Sequence, residues 1–293
     1  YKGLALAASI YGDLTLRQFG DLDILIHKED VPRAKELLIS QGYHPNLDFN
    51  SLVEEELYFR SSFKRSLLFE CDRRKILVDL HWGIESRYLS FALNLDLLDH
   101  LEQIFLNGHA IKTINTEYLI YLLCIHGAQH AWTQINWICD IAELIKGCGD
   151  MEWGRIIDHA RALGIRRMVS CGFLLAAWLL EVELQEEVLQ RIRIDPLVQS
   201  AADQVVRKLF QEKRDRPGRF ERQIFYLRAM EQLGDRARYC FNLVMNPSHA
   251  EWSTLALSTH LYPVYHFLRP LRLIGKYGLE LLTRIHNGDN SNK

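Results

Sequence analysis

The 293-residue chain lacks an excess of charge of either sign, because 35 lysines and arginines face 37 aspartates and glutamates. It therefore has no overall electrostatic attraction to nucleic acid or anionic membranes. It also lacks an apolar run of about 20 residues, the length that a membrane-spanning helix needs. The longest such run, Met168–Leu180, is typical of a buried core helix. We therefore expect no transmembrane segment and no stable binding of nucleic acid.

The six cysteines lack the CxxC spacing that is typical of zinc sites and redox motifs. Several fall in apolar helical stretches, so we interpret them as reduced and mostly buried thiols, which is typical of a cytoplasmic protein. Internal repeats and low-complexity segments are also missing. With 48% hydrophobic and 25% charged residues, the composition is that of an ordinary globular protein long enough for two domains.

The first 115 residues have the pattern of a mixed α/β domain. Gly3–Ile10 is small and apolar and predicts a helix, as does Glu29–Gln41, where apolar residues recur at helical spacing ahead of Gly42. Strands are predicted where apolar residues alternate or cluster, at Asp21–His27, Val53–Ser61, Leu67–Cys71, Ile76–Leu80 and His109–Ile114. The third and fourth of these form a predicted hairpin around Asp72-Arg73-Arg74-Lys75.

From Thr116 onward nearly every segment has helical spacing. After a first helix from Thr116 to about His126, helices are predicted at Ile135–Lys146, Trp153–Leu163, Arg166–Leu180, Leu184–Ile192, Leu197–Gln211, Arg219–Leu233 and Pro263–Arg284. The polar tail His286–Lys293 is expected to be disordered. The predicted fold class is therefore α+β, with a small mixed-sheet domain over residues 1–115 and an all-helical domain over residues 116–293.

Two of the predicted strands carry carboxylates. Asp21 and Asp23 are two positions apart, so a strand directs both to one face and directs the intervening apolar residues to a core, namely Leu22, Ile24 and Ile26. Asp79 lies between two apolar residues of a later strand. If the two strands are neighbours, three carboxylates meet, and their mutual repulsion calls for a cation such as Mg²⁺. The alternative is a solvated aspartate pair at a strand edge, since an Asp-x-Asp pattern alone is only weak evidence for a metal site.

Such a carboxylate cluster suits two-metal nucleotidyl transfer, in which one metal activates the attacking hydroxyl and the other holds the triphosphate. Three short motifs add to this pattern: Lys2-Gly3, Arg17-Gln18-Phe19-Gly20-Asp21-Leu22-Asp23 and Val78-Asp79-Leu80-His81-Trp82. They resemble motifs of the polymerase-β-like nucleotidyltransferase superfamily, and more closely those of its uncharacterised nucleotidyltransferase family of bacterial proteins. Less specific similarities extend through His126–Trp132, Trp137–Asp140 and Arg269–Arg272.

The resemblance implies an enzyme that uses Mg²⁺ or Mn²⁺ to transfer a nucleoside monophosphate from a nucleoside triphosphate to a hydroxyl-bearing acceptor. ATP is the expected donor, and the acceptor is a small molecule, a protein or an RNA end. By this resemblance, the catalytic metal ligands are Asp21, Asp23 and Asp79. The resemblance also implies that the nucleotide is bound by Lys2, Gly3, Arg17 and His81. The superfamily's usual Gly-Ser or Gly-Gly is replaced here by Gly3-Leu4.

Several alternatives stay open at this level. Arg17 suits bidentate phosphate binding or a surface salt bridge, and His81 suits the nucleotide site or a hydrogen bond to a neighbour. His126 and His130 share a helix face, which fits a zinc pair or, as we prefer, the lining of a pocket. For the whole protein, the alternatives are a catalytically inactive nucleotide- or partner-binding module and a toxin-type nucleotidyltransferase of a toxin–antitoxin pair.

Overall fold

The computed structural model describes residues 1–47, 49, 55–56, 58–59, 65–71, 75–83, 89, 96–149, 151–211, 217–247, 261 and 263–275. Within these residues the fold is α+β, as predicted, with a small mixed sheet followed by helices. The chain forms two compact units, one of residues 1–46 and 66–236 and the other of residues 47–65 and 237–293. The domain division between residues 115 and 116 stays a prediction.

The N-terminal segment is helical, as its small apolar residues predict. Helix α1 (Gly3–Leu6) continues as a π-helical turn (Ala7–Tyr11), and the left-handed Gly12 ends it. Strand β1 (Asp21–Leu25) follows, and a 3₁₀ turn (Lys28–Asp30) leads into α2 (Val31–Ser40). A proline in the first turn of α2 fits a helix start, and Gly42, with φ of 84°, follows its end.

The main sheet has the strand order β1-β4-β3-β2. Its remaining strands are β2 (His44–Pro45), β3 (Ser66–Cys71) and β4 (Ile76–His81). β3 and β4 pair antiparallel, which confirms the predicted hairpin, although turn residues 72–74 lie outside the described part. β1 pairs with β4 in parallel. The core face of the hairpin buries alternate apolar side chains, namely Leu67, Phe69, Val78 and Leu80.

Two strand predictions need correction. Ile24 was expected in a core, but β1 is an edge strand and 41% of Ile24 is exposed. A strand was also predicted at Val53–Ser61, of which the structure describes only four residues. These four are helical, namely Glu55, Glu56, Tyr58 and Phe59. Apolar content alone did not distinguish a strand from a short helix there.

A separate two-stranded sheet joins β5 (Leu101–Leu106) to β6 (His109–Ile114). β6 was predicted and β5 was not. The turn between them is Asn107-Gly108, and both residues have positive φ, of 49° and 79°. Asn-Gly is a strong hairpin signal, because its two central positions adopt left-handed backbone conformations readily. The missed strand was therefore marked in the sequence.

The residue ranges of the remaining helices in the described part agree closely with the predicted ranges. They are α3 (Thr116–Gln129), α4 (Ile135–Gly147), α5 (Trp153–Ala162), α6 (Arg166–Leu180), α7 (Glu186–Arg193), α8 (Pro196–Leu209), α9 (Arg219–Ala229) and α10 (Leu233–Met245). Side chains of Asn115 and Asp195 cap α3 and α8 by accepting backbone N–H bonds. The apolar helix α6 packs against α3, α4, α5 and α8, which explains why it is apolar on nearly every face.

The predicted helix Arg219–Leu233 is wrong at its end. Met230 has extended backbone (φ −73°, ψ 133°), so α9 stops at Ala229 and α10 begins after a break. Residues 263–275 are helical, and the rest of the predicted Pro263–Arg284 helix lies outside the described part, as does the tail His286–Lys293. All six cysteines are free thiols, and three of them are buried. Among the described helices, none has both the length and the apolar character needed to cross a bilayer.

Candidate metal centre

The parallel pairing of β1 with β4 brings acidic side chains together on one face of the sheet. The register sets Asp23 opposite Asp79, and His81 lies two positions further along β4 on the same face. One potential ligand atom from each of these three residues lies within 4.8 Å of the others. The predicted meeting of carboxylates from two neighbouring strands therefore occurs, with a histidine in the group.

His81 lies between the two carboxylates. Its Nε2 is 3.1 Å from Asp23 Oδ1 and 3.1 Å from Asp79 Oδ2, and 3% of its side chain is exposed. Burial opposes protonation, but the hydrogen bonds to the two carboxylates raise the pKa of His81 above its ordinary value. Burial likewise opposes ionisation of Asp23, yet the hydrogen bond from His81 and the charge of Lys2 lower its pKa. The contacts of His81 with both carboxylates therefore offset part of the repulsion between them.

The donor set fits a divalent cation. Asp79 Oδ1 is buried and has no hydrogen-bond partner among the described residues, so this carboxylate oxygen is available for coordination. Two carboxylate oxygens and one imidazole nitrogen are a common partial set for first-row metals. Mg²⁺ prefers oxygen ligands alone, so it would use the two aspartates, whereas Mn²⁺ also accepts the nitrogen of His81.

Asp21 belongs to the same face but not to this three-residue group. Its register partner on β4 is Leu77, two positions before the Asp23–Asp79 pair. Burial, together with the negative charges of Asp23 and Asp79, raises the pKa of Asp21. Asp21 thus lies within electrostatic reach of the centre, and its role as a metal ligand stays a prediction.

Lys2 and Gly3 lie beside β1. The positive charge of Lys2 acts on Asp21, Asp23 and His81, so this lysine supplies charge to the centre. Gly3 has a left-handed backbone with φ of 45°. A Cβ on it would lie 3.1 Å from the carbonyl oxygen of Asp21 and 3.6 Å from Asp23 Oδ2. Glycine therefore suits this position for two reasons, its dihedral angle and its close approach to the acidic strand.

Arg17 has a partner that the sequence did not identify. Its Nε and Nη2 each donate to a carboxylate oxygen of Asp140 on α4, at 2.8 Å, and its Nη1 donates to the carbonyl of Gly3 at 3.3 Å. Asp140 is fully buried and also accepts a hydrogen bond from Tyr11. The salt-bridge alternative for Arg17 thus occurs, in a buried form. A charged residue on the buried side of an otherwise apolar helix was the available signal for Asp140.

Three rings are in mutual contact where α3 ends and α4 begins, namely those of His126 in the last turn of α3, His130 just after it and Trp137 in the first turn of α4. The ring of His126 is 4.6 Å from that of His130 and 5.0 Å from that of Trp137. Burial and the positive charge of Lys2 place the pKa of His126 well below its ordinary value, so this imidazole is neutral. The charges of Asp23 and His81 act on it as well. Among the described residues, these rings belong to no metal-ligand group.

Comparison with known proteins adds one match. A family model described as uncharacterised nucleotidyltransferase matches residues 1–181, more than half of the chain. The matched region includes β1, β4, the pair formed by Arg17 and Asp140, and the rings at the end of α3. Searches of curated proteins and of solved structures return no match.

Proposed function

Since the chain belongs to this uncharacterised nucleotidyltransferase family, we propose that it transfers a nucleoside monophosphate from a nucleoside triphosphate to a hydroxyl-bearing acceptor. ATP is the proposed donor. The observation that carries the proposal is the group of Asp23, Asp79 and His81 on one sheet face, with the positive charge of Lys2 beside it. A cluster of anionic ligands next to a cation suits a substrate that arrives as a metal–triphosphate complex.

Asp23 and Asp79 would hold Mg²⁺ or Mn²⁺, with Asp21 as the third carboxylate, and the metal would offset negative charge on the triphosphate and the leaving pyrophosphate. Before substrate binds, the ring of His81 lies between the two central aspartates, and its hydrogen bond to Asp23 favours the charged form of that carboxylate. Lys2 adds a positive charge for the phosphates.

Gly3 allows the N-terminal segment to approach β1 without a side chain between them. Arg17 donates to the Gly3 carbonyl while its other two nitrogens are held by Asp140, so the buried ion pair positions the segment that carries Lys2. In this proposal Arg17 supports nucleotide binding by positioning Gly3.

The acceptor would lie against the rings at the end of α3. His126 is neutral, and a neutral imidazole nitrogen can accept a hydrogen bond or a proton from a hydroxyl group. The partly exposed Trp137 offers an apolar face next to it. An acceptor with a hydroxyl beside a flat or apolar group fits these contacts.

The test is transfer of label from α-labelled ATP, with Mg²⁺ or Mn²⁺, to acceptors supplied as a lysate fraction or a compound set. Transfer should fall roughly 100-fold or more in Asp23→Asn and in Asp79→Asn, because each loses a charged metal ligand. The exposed Asp30→Asn is the matched control and should keep full activity. Label transfer that persists in both site variants would overturn the roles of these aspartates.

One observation favours a second candidate, a nucleotide-binding module without turnover. The Nε2 of His81 already lies 3.1 Å from an oxygen of each carboxylate, so the two aspartates have a hydrogen-bond partner between them without a metal. Calorimetry separates the two functions. Binding of ATP that is equally tight with and without divalent metal, together with no label transfer, would favour the binding module, whereas metal-dependent binding with transfer favours the enzyme.

A further inference from the structure

A cavity of about 80 Å³ lies among α3, α6, α8 and α9. By the same measure one water molecule needs only about 10–15 Å³, so the space accommodates a small organic molecule. The residues used below line it in two groups, a buried floor and a more exposed mouth. The floor is formed by Trp132, Met168, Val198 and Phe225, and the mouth by Ser200 and Arg228. None of these residues belongs to the metal centre.

The floor is held in place by an unusual backbone. Ala131 and Trp132 both have left-handed φ, of 50° and 51°, which is uncommon for residues other than glycine. The six-membered ring of Trp132 fills the space above Gly127 and Gly172, where an added Cβ would lie 2.5 Å and 3.0 Å from it. Two glycines and two strained residues thus fix this indole, so the cavity wall is a specified feature of the fold.

The indole also has an unsatisfied polar atom. Trp132 is fully buried, and its Nε1 has no hydrogen-bond partner among the described residues. A buried N–H without an acceptor is destabilising by about 1–3 kcal/mol. Trp132 therefore combines a strained backbone with an unpaired buried donor, and both features are typical of a functional site.

Charge at the mouth indicates the kind of ligand. Arg228 is exposed and forms no ion pair within the described part of the chain, whereas the neighbouring Arg167 is held by Asp195 at 2.7 Å. A free guanidinium at the entrance of an apolar cavity is suited to a carboxylate, since the two planar groups share two hydrogen bonds.

We propose that this cavity binds a small hydrophobic carboxylate of on the order of six to ten heavy atoms. Its apolar body lies against Met168, Val198 and Phe225, and its carboxylate meets Arg228 at the mouth. The proposal is independent of the nucleotidyltransferase reaction, because it rests on helices and side chains that the metal centre does not use.

The test is calorimetric titration of the full 293-residue chain with hexanoate. Two further probes separate the parts of the ligand, since 1-hexanol has the same apolar body without charge and acetate has the charge without the body. Hexanoate should bind at least about tenfold more tightly than either, because it alone uses both the cavity and Arg228.

Three variants locate the site. Arg228→Gln should weaken hexanoate binding about tenfold, and Ala201→Leu, which places a larger side chain in the cavity wall, should abolish it. Arg219→Gln, at the exposed start of the same helix α9, is the matched control and should bind as the original chain does. Thermal unfolding confirms that each variant is folded.

Three results would overturn the proposal. Equal affinity for 1-hexanol and hexanoate would remove the role of the carboxylate. Unchanged hexanoate binding in a folded Ala201→Leu variant would place the ligand elsewhere. No binding of hexanoate at millimolar concentration would show that the cavity is not a site for this class of ligand.

Discussion

Replacing Arg17 by Met removes one half of a buried ion pair. The two N–H···O contacts to Asp140 are each 2.8 Å long, and the Arg17 and Asp140 side chains are 13% and 0% exposed. Breaking such a pair leaves an unpaired buried charge, which is destabilising by about 3–5 kcal/mol. Tyr11 still donates to Asp140, which offsets about 1 kcal/mol. The expected loss in the free energy of unfolding is therefore about 2–4 kcal/mol.

The assay is thermal and urea unfolding of a double-mutant cycle. At roughly 2–4 °C per kcal/mol for a chain of this size, Arg17→Met should lower Tm by roughly 4–16 °C. Asp140→Leu leaves Arg17 without its counterion and should have a similar effect. The combined variant Arg17→Met/Asp140→Leu replaces the pair with apolar groups, so it should be destabilised by less than either single variant.

The same variants test whether Arg17 acts on nucleotide by positioning Gly3 or by direct contact with phosphate. If its role is positioning, ATP affinity measured by calorimetry should follow stability and recover in the combined variant to within about threefold of the original value. Two results would refute the reasoning. Losses of stability that simply add in the combined variant would show that the pair is not coupled, and ATP binding that stays weak in a stable combined variant would show direct phosphate contact.

Two further predictions concern the helices. Gly127→Ala should lower the free energy of unfolding by about 1–3 kcal/mol, because its Cβ would lie 2.5 Å from the ring of Trp132. The control is Gly147→Ala, whose Cβ would meet nothing within 4 Å and which should be neutral or slightly stabilising. Urea unfolding measures both. Equal effects at the two sites would contradict this steric explanation. Burial opposes ionisation of Asp195, but hydrogen bonds and the positive charge of Arg167 lower the pKa of this carboxyl group. The charged form of Asp195 therefore stabilises the fold fully above pH ~4, and this stabilisation is lost as pH falls through the lowered pKa. Asp195→Asn, which keeps a capping side chain, should therefore be less stable by about 2 kcal/mol at pH 7, and this difference should shrink as pH falls through the lowered pKa of Asp195. A difference in stability that is constant with pH would disprove the charge effect.

Local sequence patterns were sufficient to predict most of the strands and helices. Alternation over Asp21–Leu25 and Ile76–His81 identified both strands of the centre, and helical spacing identified most of the helices after residue 115. The errors arose where a local signal was overlooked or was absent. The Asn107-Gly108 turn marked a strand that was missed, whereas the break after Ala229 follows no proline or glycine.

The group formed by Asp23, Asp79 and His81 was only partly predictable. Asp23 and Asp79 were identified, because spacing on a strand decides which face a side chain occupies. His81 was predicted to be in the nucleotide site or hydrogen-bonded to a neighbour, and only the structure shows that its partner is Asp23 on the adjacent strand, since spacing does not give the distances across a sheet. Asp21 was predicted as an equal third member of the carboxylate cluster, and its place two register positions before the Asp23–Asp79 pair depends on how β1 is aligned with β4.

By itself, the sequence determined the fold class, the two acidic strands and the resemblance to a nucleotidyltransferase family. These follow from short-range periodicity and from motifs only a few residues long. Only the tertiary structure decided the partners of those residues: Arg17 pairs with Asp140 across 123 positions, and Ile24 is exposed because β1 is at the sheet edge. The cavity above Trp132 was likewise unpredictable, because it depends on how four helices pack. Contacts between distant segments arise from packing, and no local pattern encodes them.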